Sequence, residues 1–127
     1  MKILIAEDGS TNRLFLKKLF EASGYQVLTV SNGAEAIAVL GATQVDCLLT
    51  DLTMPVLDGW GLIQRIREKP QWAALPIVLL TGSAEVDDVK RARAAGLKHY
   101  VVKPIDRERV LAAVAAAASP EVRPAAS

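Results

Sequence analysis

The sequence contains one cysteine, Cys47, and one histidine, His99, among its 127 residues. A single cysteine excludes a framework of intramolecular disulfides. Because Cys47 lies inside an apolar run, we expect it to pack as a small buried hydrophobic side chain and not to act as a reactive thiol. We expect His99 to be a solvated residue near a strand end and not a phosphohistidine.

An excess of either charge is also missing, since the formal net charge is +1 at pH 7. No overall field therefore draws the chain to nucleic acid or to an acidic membrane surface. The longest alanine-rich stretch, residues 110–118, is too short to span a bilayer. The first residues lack the basic and apolar segments of an export signal. We expect a cytoplasmic protein without direct nucleic-acid binding or membrane insertion.

Hydrophobic residues make up 51% of the chain. A domain of about this length buries roughly two-thirds of the surface that its unfolded chain exposes. The sequence therefore predicts one domain whose core needs no metal or disulfide, which we place at residues 1–119. Residues 120–127 are rich in proline, alanine and serine and are expected to be a disordered tail or the stub of a linker.

Apolar runs alternate with amphipathic segments along the whole chain. Strands are predicted at 2–6, 25–30, 45–51, 77–81 and 97–102. Helices are predicted at about 10–23, 33–41, from about 58, at about 84–95, and from about 106 to before Pro120. This alternation predicts an α/β fold with one doubly wound, five-stranded parallel sheet and helices on both faces. We expect the flavodoxin-like strand order 2-1-3-4-5, with a ligand crevice between strands 1 and 3.

The helix signals are specific enough to predict caps and faces. Ser10 is expected to be the N-cap of the first helix, and Asp58 that of the third. The first helix should bury Phe15, Leu16, Leu19 and Phe20. Gly61, inside the third helix, should cost about 1 kcal/mol relative to alanine. The fourth helix offers its core only Val89, Ala92 and Ala95, which suggests weak packing.

Polar side chains stand at the ends of four predicted strands: Glu7, Asp8, Asp51, Thr81 and Lys103. In open α/β sheets this edge binds ligands. Carboxylates about 4 Å apart repel by about 4 kcal/mol near a protein surface, so such a cluster takes up protons or holds a cation. Oxygen ligands without histidine or cysteine suit Mg²⁺, which also shares phosphate oxygens.

Each of these residues also has a simpler explanation. The acidic pair would be an exposed loop, Lys103 a solvated cation and Thr81 a helix cap. Tyr100 would be a core side chain, although its amphipathic ring can also exchange between solvent and interior. Gly82 leaves room beside Thr81, which favours a phosphate contact there. The meeting of all these groups at one edge favours the functional explanation.

Five short segments follow one another along the chain: 7–8 (ED), 51–55 (DLTMP), 58–59 (DG), 80–82 (LTG) and 100–104 (YVVKP). In this order they resemble the receiver domains of response regulators in two-component and phosphorelay signalling, of the chemotaxis-regulator type. The resemblance covers residues 1 to about 119.

The resemblance implies that Asp51 is the phosphoacceptor. Glu7, Asp8, Asp51 and the backbone carbonyl of Thr53 would hold Mg²⁺, and Mn²⁺ would fit the same ligands. The phosphoryl donor would be a histidine kinase or a histidine phosphotransfer protein. The downstream partner, or a covalently linked output domain, is not specified by the sequence.

The resemblance also assigns roles around the phosphoryl group. Thr81 would hydrogen-bond it, Lys103 would pair with it and Tyr100 would be the switch aromatic, acting on a surface of the fourth helix, fifth strand and fifth helix. The Lys103–Pro104 bond is expected to be cis. Lys98 and His99 stand where winged-helix regulators often carry acids, which argues against the charged dimer contact of those proteins.

Two other functions share features with this pattern. A phosphatase of the haloacid dehalogenase type also uses an aspartate nucleophile and Mg²⁺. The motif of that phosphatase has a second aspartate two residues after the nucleophile, where this chain has Thr53. The phosphatase also has a cap domain, for which this chain is too short. The other alternative is a receiver-like scaffold that works without phosphorylation, although no essential residue is missing. We therefore expect a signalling switch and not an enzyme, with only Mg²⁺-dependent self-phosphorylation and slow self-dephosphorylation.

Overall fold

The computed structural model describes residues 1–52, 54–82, 86–94 and 96–118, with the backbone alone for residues 86–89. The strands are β1 Lys2–Ala6, β2 Gln26–Val30, β3 Cys47–Asp51, β4 Ile77–Thr81 and β5 His99–Val102. The helices are α1 Ser10–Ala22, α2 Gly33–Ala42, α3 Gly59–Arg67, α4 Val86–Ala94 and α5 Arg107–Ala118. A short 3-10 helix, Pro70–Trp72, precedes β4.

The described strands form one parallel sheet in the order β2-β1-β3-β4-β5, which confirms the predicted doubly wound fold. In the pairing of β1 with β3, Ala6 lies beside Thr50. Glu7 and Asp51 therefore follow at the same carboxyl edge. Asp51 pairs with Leu80 of β4, and Thr81 pairs with Val102 of β5. The register alone brings the polar strand ends into one row.

The sheet is buried on both faces, because successive side chains of a strand point to opposite sides. Leu4 and Ala6 belong to a core cluster with α2, α3 and Ala92 of α4. Ile3 and Ile5 belong to a second cluster with α1 and α5. None of the helices in the described part of the chain has the length and apolarity that a bilayer crossing requires.

Helix α1 differs from the sequence prediction in two respects. Gly9 is its N-cap, and Ser10 is already its first helical residue. Phe15 is 37% exposed, whereas Leu16, Leu19 and Phe20 are buried. One residue turns a side chain by about 100° around a helix, so Phe15, one step before Leu16, stands at the margin of the buried face.

Two predicted strands start later than expected because their first amide groups complete the preceding helix. Tyr25 donates to the carbonyl of Phe20 at 3.0 Å, and Leu97 donates to that of Ala92 at 2.9 Å. The glycines before them, Gly24 and Gly96, have φ of 93° and 80°. This geometry is the Schellman ending, for which glycine is favoured because it tolerates positive φ. β2 therefore begins at Gln26 and β5 at His99.

The caps of α2 and α3 come from side chains. Asn32 Oδ1 accepts from the amide of Glu35 at 2.8 Å, and Glu35 Oε1 accepts from the amide of Ser31 at 2.7 Å. Asp58 Oδ1 accepts from the amide of Gly61 at 2.8 Å, which confirms the predicted cap.

Close packing requires the glycine at the start of α3. A Cβ atom on Gly59 would lie 2.4 Å from the carbonyl oxygen of Asp51, a backbone atom with no freedom to move aside. A Cβ atom on Gly61 would lie 2.6 Å from Leu57 Cδ1, the end of a flexible side chain that can shift, so the conformational cost remains the main effect of Gly61. The contact of Gly59 seats the start of α3 directly against the end of β3.

We predict that Gly59→Ala lowers the free energy of unfolding by about 1–3 kcal/mol, the usual effect of overpacking against a fixed backbone. Gly41→Ala is the matched control, since an added Cβ there meets none of the described atoms within 4 Å. That control should raise stability by about 0.4–1 kcal/mol. Urea denaturation measures both changes, and equal effects would contradict the packing argument.

Candidate functional site

Three carboxylates come together at the carboxyl edge of β1 and β3. Glu7 follows β1 and is 1% exposed, and Asp51 ends β3 and is 4% exposed. Asp8 is exposed. One oxygen from each of the three carboxylates lies within 4.8 Å of the others. The structure thus brings together the acidic residues that the sequence placed at this edge.

Lys103 reaches this cluster from the far side of β4. Its Nζ lies 2.7 Å from Asp51 Oδ2 and 3.2 Å from Glu7 Oε1. The backbone amide of Lys103 donates to the carbonyl of Thr81 at 2.7 Å, which ties the end of β5 to β4. The Lys103–Pro104 peptide bond is cis, as the sequence resemblance implied.

Burial and charge shift the pKa values of this cluster. Burial raises the pKa of Glu7, and the charge of Asp51 adds to the rise, whereas the Gly9 amide and Lys103 oppose it. Burial alone would lower the pKa of Lys103, but the hydrogen bond to Asp51 and the carboxylate charges outweigh it and raise that pKa. Lys103 is therefore held as an ammonium ion.

The donor set fits a divalent cation of the Mg²⁺ type. Glu7 Oε2 accepts from the amide of Gly9 at 2.9 Å. Glu7 Oε1 is buried and accepts no well-directed hydrogen bond from the described residues, although the Lys103 ammonium lies 3.2 Å away. When all three carboxylates are ionised, their charges exceed that of the single Lys103 ammonium by two. The ligand atoms that these three side chains offer are all oxygens, which Mg²⁺ prefers.

The remaining predicted site residues lie around this cluster. Thr81 ends β4 and is 7% exposed, and Gly82 after it is exposed. Tyr100 is 41% exposed, so its ring is not a core side chain in this conformation. Thr53, the proposed carbonyl ligand, lies outside the described residues.

Cys47 is fully buried, and burial raises the pKa of its thiol to about 12. It packs in the cluster between the sheet, α1 and α5. The expectation of a small core side chain is confirmed. His99 is partly buried on β5.

Two basic residues make contacts that the sequence did not predict. Arg13 Nη1 donates to the carbonyl oxygens of Glu7 and Asp8 at 2.9 and 3.2 Å. The guanidinium carbon of Arg91, on α4, lies 4.5 Å from the ring centroid of Trp60, on α3. A cation in the first turn of a helix is unfavourable for the helix dipole, and this signal would have singled out Arg13.

Comparisons with known proteins agree with this site. Residues 3–115 match the family described as the response regulator receiver domain. The sensor protein EvgS of Escherichia coli K12 is 35% identical over 105 residues, which are 83% of this chain and 9% of EvgS. The protein PilH of Pseudomonas aeruginosa is 29% identical over 110 residues, which are 87% of this chain and 91% of PilH.

A solved structure gives the same fold. The receiver domain of the sensor histidine kinase PA1611 from Pseudomonas aeruginosa superposes with a TM-score of 0.83 at 28% sequence identity, covering 91% of this chain and 95% of that domain. That crystal structure has a magnesium ion coordinated in its active-site cleft.

Fold and site define a receiver domain of two-component signalling. The chain belongs to the response regulator receiver domain family. Receiver domains are signalling switches, so the haloacid dehalogenase alternative is not favoured, and neither is the phosphorylation-independent scaffold.

We predict that Asp8→Asn stabilises the protein when divalent cations are removed with EDTA. The change deletes one of three mutually repelling charges and keeps the Asp8 carbonyl that Arg13 binds. The gain should be about 0.5–1 kcal/mol, the size of exposed charge interactions, and should shrink at high salt.

The control for this change is Asp46→Asn, which removes an exposed negative charge before β3, at the opposite end of that strand from the cluster. Thermal unfolding in EDTA at low and high salt measures both variants. A stabilisation by Asp46→Asn as large as that by Asp8→Asn would contradict the local repulsion.

Proposed function

We propose that Asp51 accepts a phosphoryl group from a histidine kinase or a histidine phosphotransfer protein and that its phosphorylation switches the face formed by α4, β5 and α5. The observation that carries this proposal is the pairing of the buried Asp51 carboxylate with Lys103 at 2.7 Å, beside two further acidic groups. A buried carboxylate at a strand end, with an ammonium in contact, is placed to attack phosphorus and to have the added charge balanced.

Glu7, Asp8 and Asp51 would hold Mg²⁺, with the carbonyl of Thr53 as a further ligand. Mn²⁺ fits the same oxygen donors. Support comes from the two negative charges in excess and from the magnesium ion in the related PA1611 receiver. When bound, the cation would neutralise charge on the phosphoryl oxygens.

The protein groups divide the transfer between them. A carboxylate oxygen of Asp51 attacks phosphorus in line, so that an O–P bond forms while the P–N bond to the donor imidazole breaks. Lys103 pairs with an equatorial oxygen, and the Thr81 hydroxyl donates a hydrogen bond to another. Catalysis is then mostly positioning and electrostatic stabilisation. The product is an acyl phosphate on Asp51, and the imidazole leaves after taking up a proton.

The added charge would act through Thr81 and Tyr100. Thr81 moves towards the phosphoryl group, and the Tyr100 ring, 41% exposed at rest, fills the space that Thr81 leaves. Turning a two-state switch from 1:99 to 99:1 takes about 5.5 kcal/mol of preference, which a few charge-assisted hydrogen bonds supply. The sequence predicted that α4 buries Val89, Ala92 and Ala95. Ala92 is buried, and the other two side chains are outside the part of the chain that the structure describes.

We place the domain at residues 1–119 and a linker or tail at 120–127, which are outside the described residues. We also propose that the protein functions in the cytoplasm, because the ATP that supplies the phosphoryl group is available to kinases there. The chain spans 91% of PilH but only 9% of EvgS. The output, whether a separate protein or a linked domain, is therefore left open by the relatives.

We predict that acetyl phosphate with Mg²⁺ adds one phosphoryl group to the wild-type protein and none to Asp51→Asn. Asp46→Asn is the matched control, because Asp46 is an exposed acid just before β3, at the opposite end of that strand. Intact-protein mass spectrometry measures the gain, which EDTA should abolish. Phosphorylation of Asp51→Asn to the wild-type extent would exclude Asp51 as the acceptor.

We further predict that the fluorescence of Trp60 changes on phosphorylation. Trp60 follows Gly59, which touches the Asp51 carbonyl, and it stacks on Arg91 of α4. The Trp72→Phe variant isolates Trp60, and its emission should change with acetyl phosphate and Mg²⁺.

The reciprocal variant, Trp60→Phe, retains only Trp72 in the 3-10 helix before β4 and should show no such change. An equal response from both variants would mean that the signal is not local to the contact between α3 and α4.

A further inference from the structure

One arginine binds the backbone of both members of the acidic pair. Nη1 of Arg13 lies 2.9 Å from the carbonyl oxygen of Glu7 and 3.2 Å from that of Asp8. Arg13 lies in the first turn of α1, where its amide donates to the Gly9 carbonyl at 2.8 Å. Helical side chains lean towards the N-terminus, so Arg13 reaches back over the three residues that join β1 to α1.

The location of this cation is unfavourable for the helix itself. A positive charge near a helix N-terminus opposes the macrodipole. α1 has no acidic residue in its first turn to offset it. The two carbonyl oxygens supply the compensating interactions, which means that the arginine is tied to the acidic pair.

We propose that Arg13 is a positioning residue for the metal-binding carboxylates, an inference that rests on the proposed function of the site. Adjacent residues of a regular strand point to opposite faces. Glu7 and Asp8 reach a common site only because the chain turns after Ala6. One guanidinium nitrogen bound to both carbonyls fixes the peptide planes within that turn.

A second restraint acts on the same turn. The amide of Gly9 donates to Glu7 Oε2 at 2.9 Å, which orients the buried carboxylate. Asp8 is exposed and has no comparable side-chain restraint in the described structure. The hold of Arg13 on its carbonyl therefore limits the directions in which the Asp8 carboxylate can point. Losing that hold would weaken cation binding more than it would weaken the fold.

The test compares Arg13→Gln with Lys18→Gln, which removes the same charge from an exposed position on the same helix. Calorimetric titration with MgCl₂ gives the affinity of each purified protein. Groups that orient metal ligands typically contribute about 10–100-fold to affinity, so we expect Arg13→Gln to weaken Mg²⁺ binding about tenfold. Lys18→Gln should change it by less than about twofold, since its charge is screened by solvent.

Two further measurements separate positioning from a merely structural role. Arg13→Lys keeps the charge but loses the planar guanidinium, so its Mg²⁺ affinity should stay below wild type. In the metal-free proteins, hydrogen exchange of the Gly9 amide should be faster in Arg13→Gln than in Lys18→Gln. Urea unfolding should show similar stabilities for these two variants.

Wild-type Mg²⁺ affinity in Arg13→Gln would overturn the inference, and so would an equal loss in Lys18→Gln or full recovery in Arg13→Lys. These outcomes leave the proposed function standing if the wild-type protein is still phosphorylated on Asp51. A wild-type protein that takes up neither Mg²⁺ nor a phosphoryl group would overturn both.

Discussion

Repulsion among the carboxylates of Glu7, Asp8 and Asp51 is the constraint on which the carboxyl edge of the sheet depends. Two of the three are buried, so solvent screens them poorly. Lys103 offsets part of the repulsion by contacting two of them. The net charge of the cluster remains negative. The site therefore favours a cation, and a bound cation is needed before the site can accept the further negative charge of a phosphoryl group.

The strand order makes this balance achievable. Neighbouring strands lie about 4.8 Å apart, so β3 and β5 are about 10 Å apart with β4 between them. A lysine after β5 is long enough to cross the end of β4 and reach Asp51. The glycine at the start of α3 also helps to position Asp51, because Gly59 lets the helix approach the Asp51 carbonyl. Sheet order, lysine length and glycine packing thus act on one carboxylate.

Sequence patterns predicted the elements and their order. The cap at Asp58 and the ends of helices at Gly24 and Gly96 follow from capping and turn residues. The strand order follows from the alternation of strands and helices and the preference for right-handed crossovers. The exposure of Phe15 and the N-cap at Gly9 depend on how the finished elements pack. The contact of Arg13 with two carbonyls also depends on the path of the turn after β1, which side-chain patterns do not encode.

The burial of Cys47 has a practical consequence. A thiol with a pKa near 12 forms almost no thiolate at neutral pH, and this side chain is also closed off from solvent. Maleimide dyes and nitroxide reagents should therefore leave the native chain unmarked. A cysteine placed on the surface of α4 and a second one on another exposed helix face would be the only labelled positions, so the distance between them becomes measurable without first replacing a core residue.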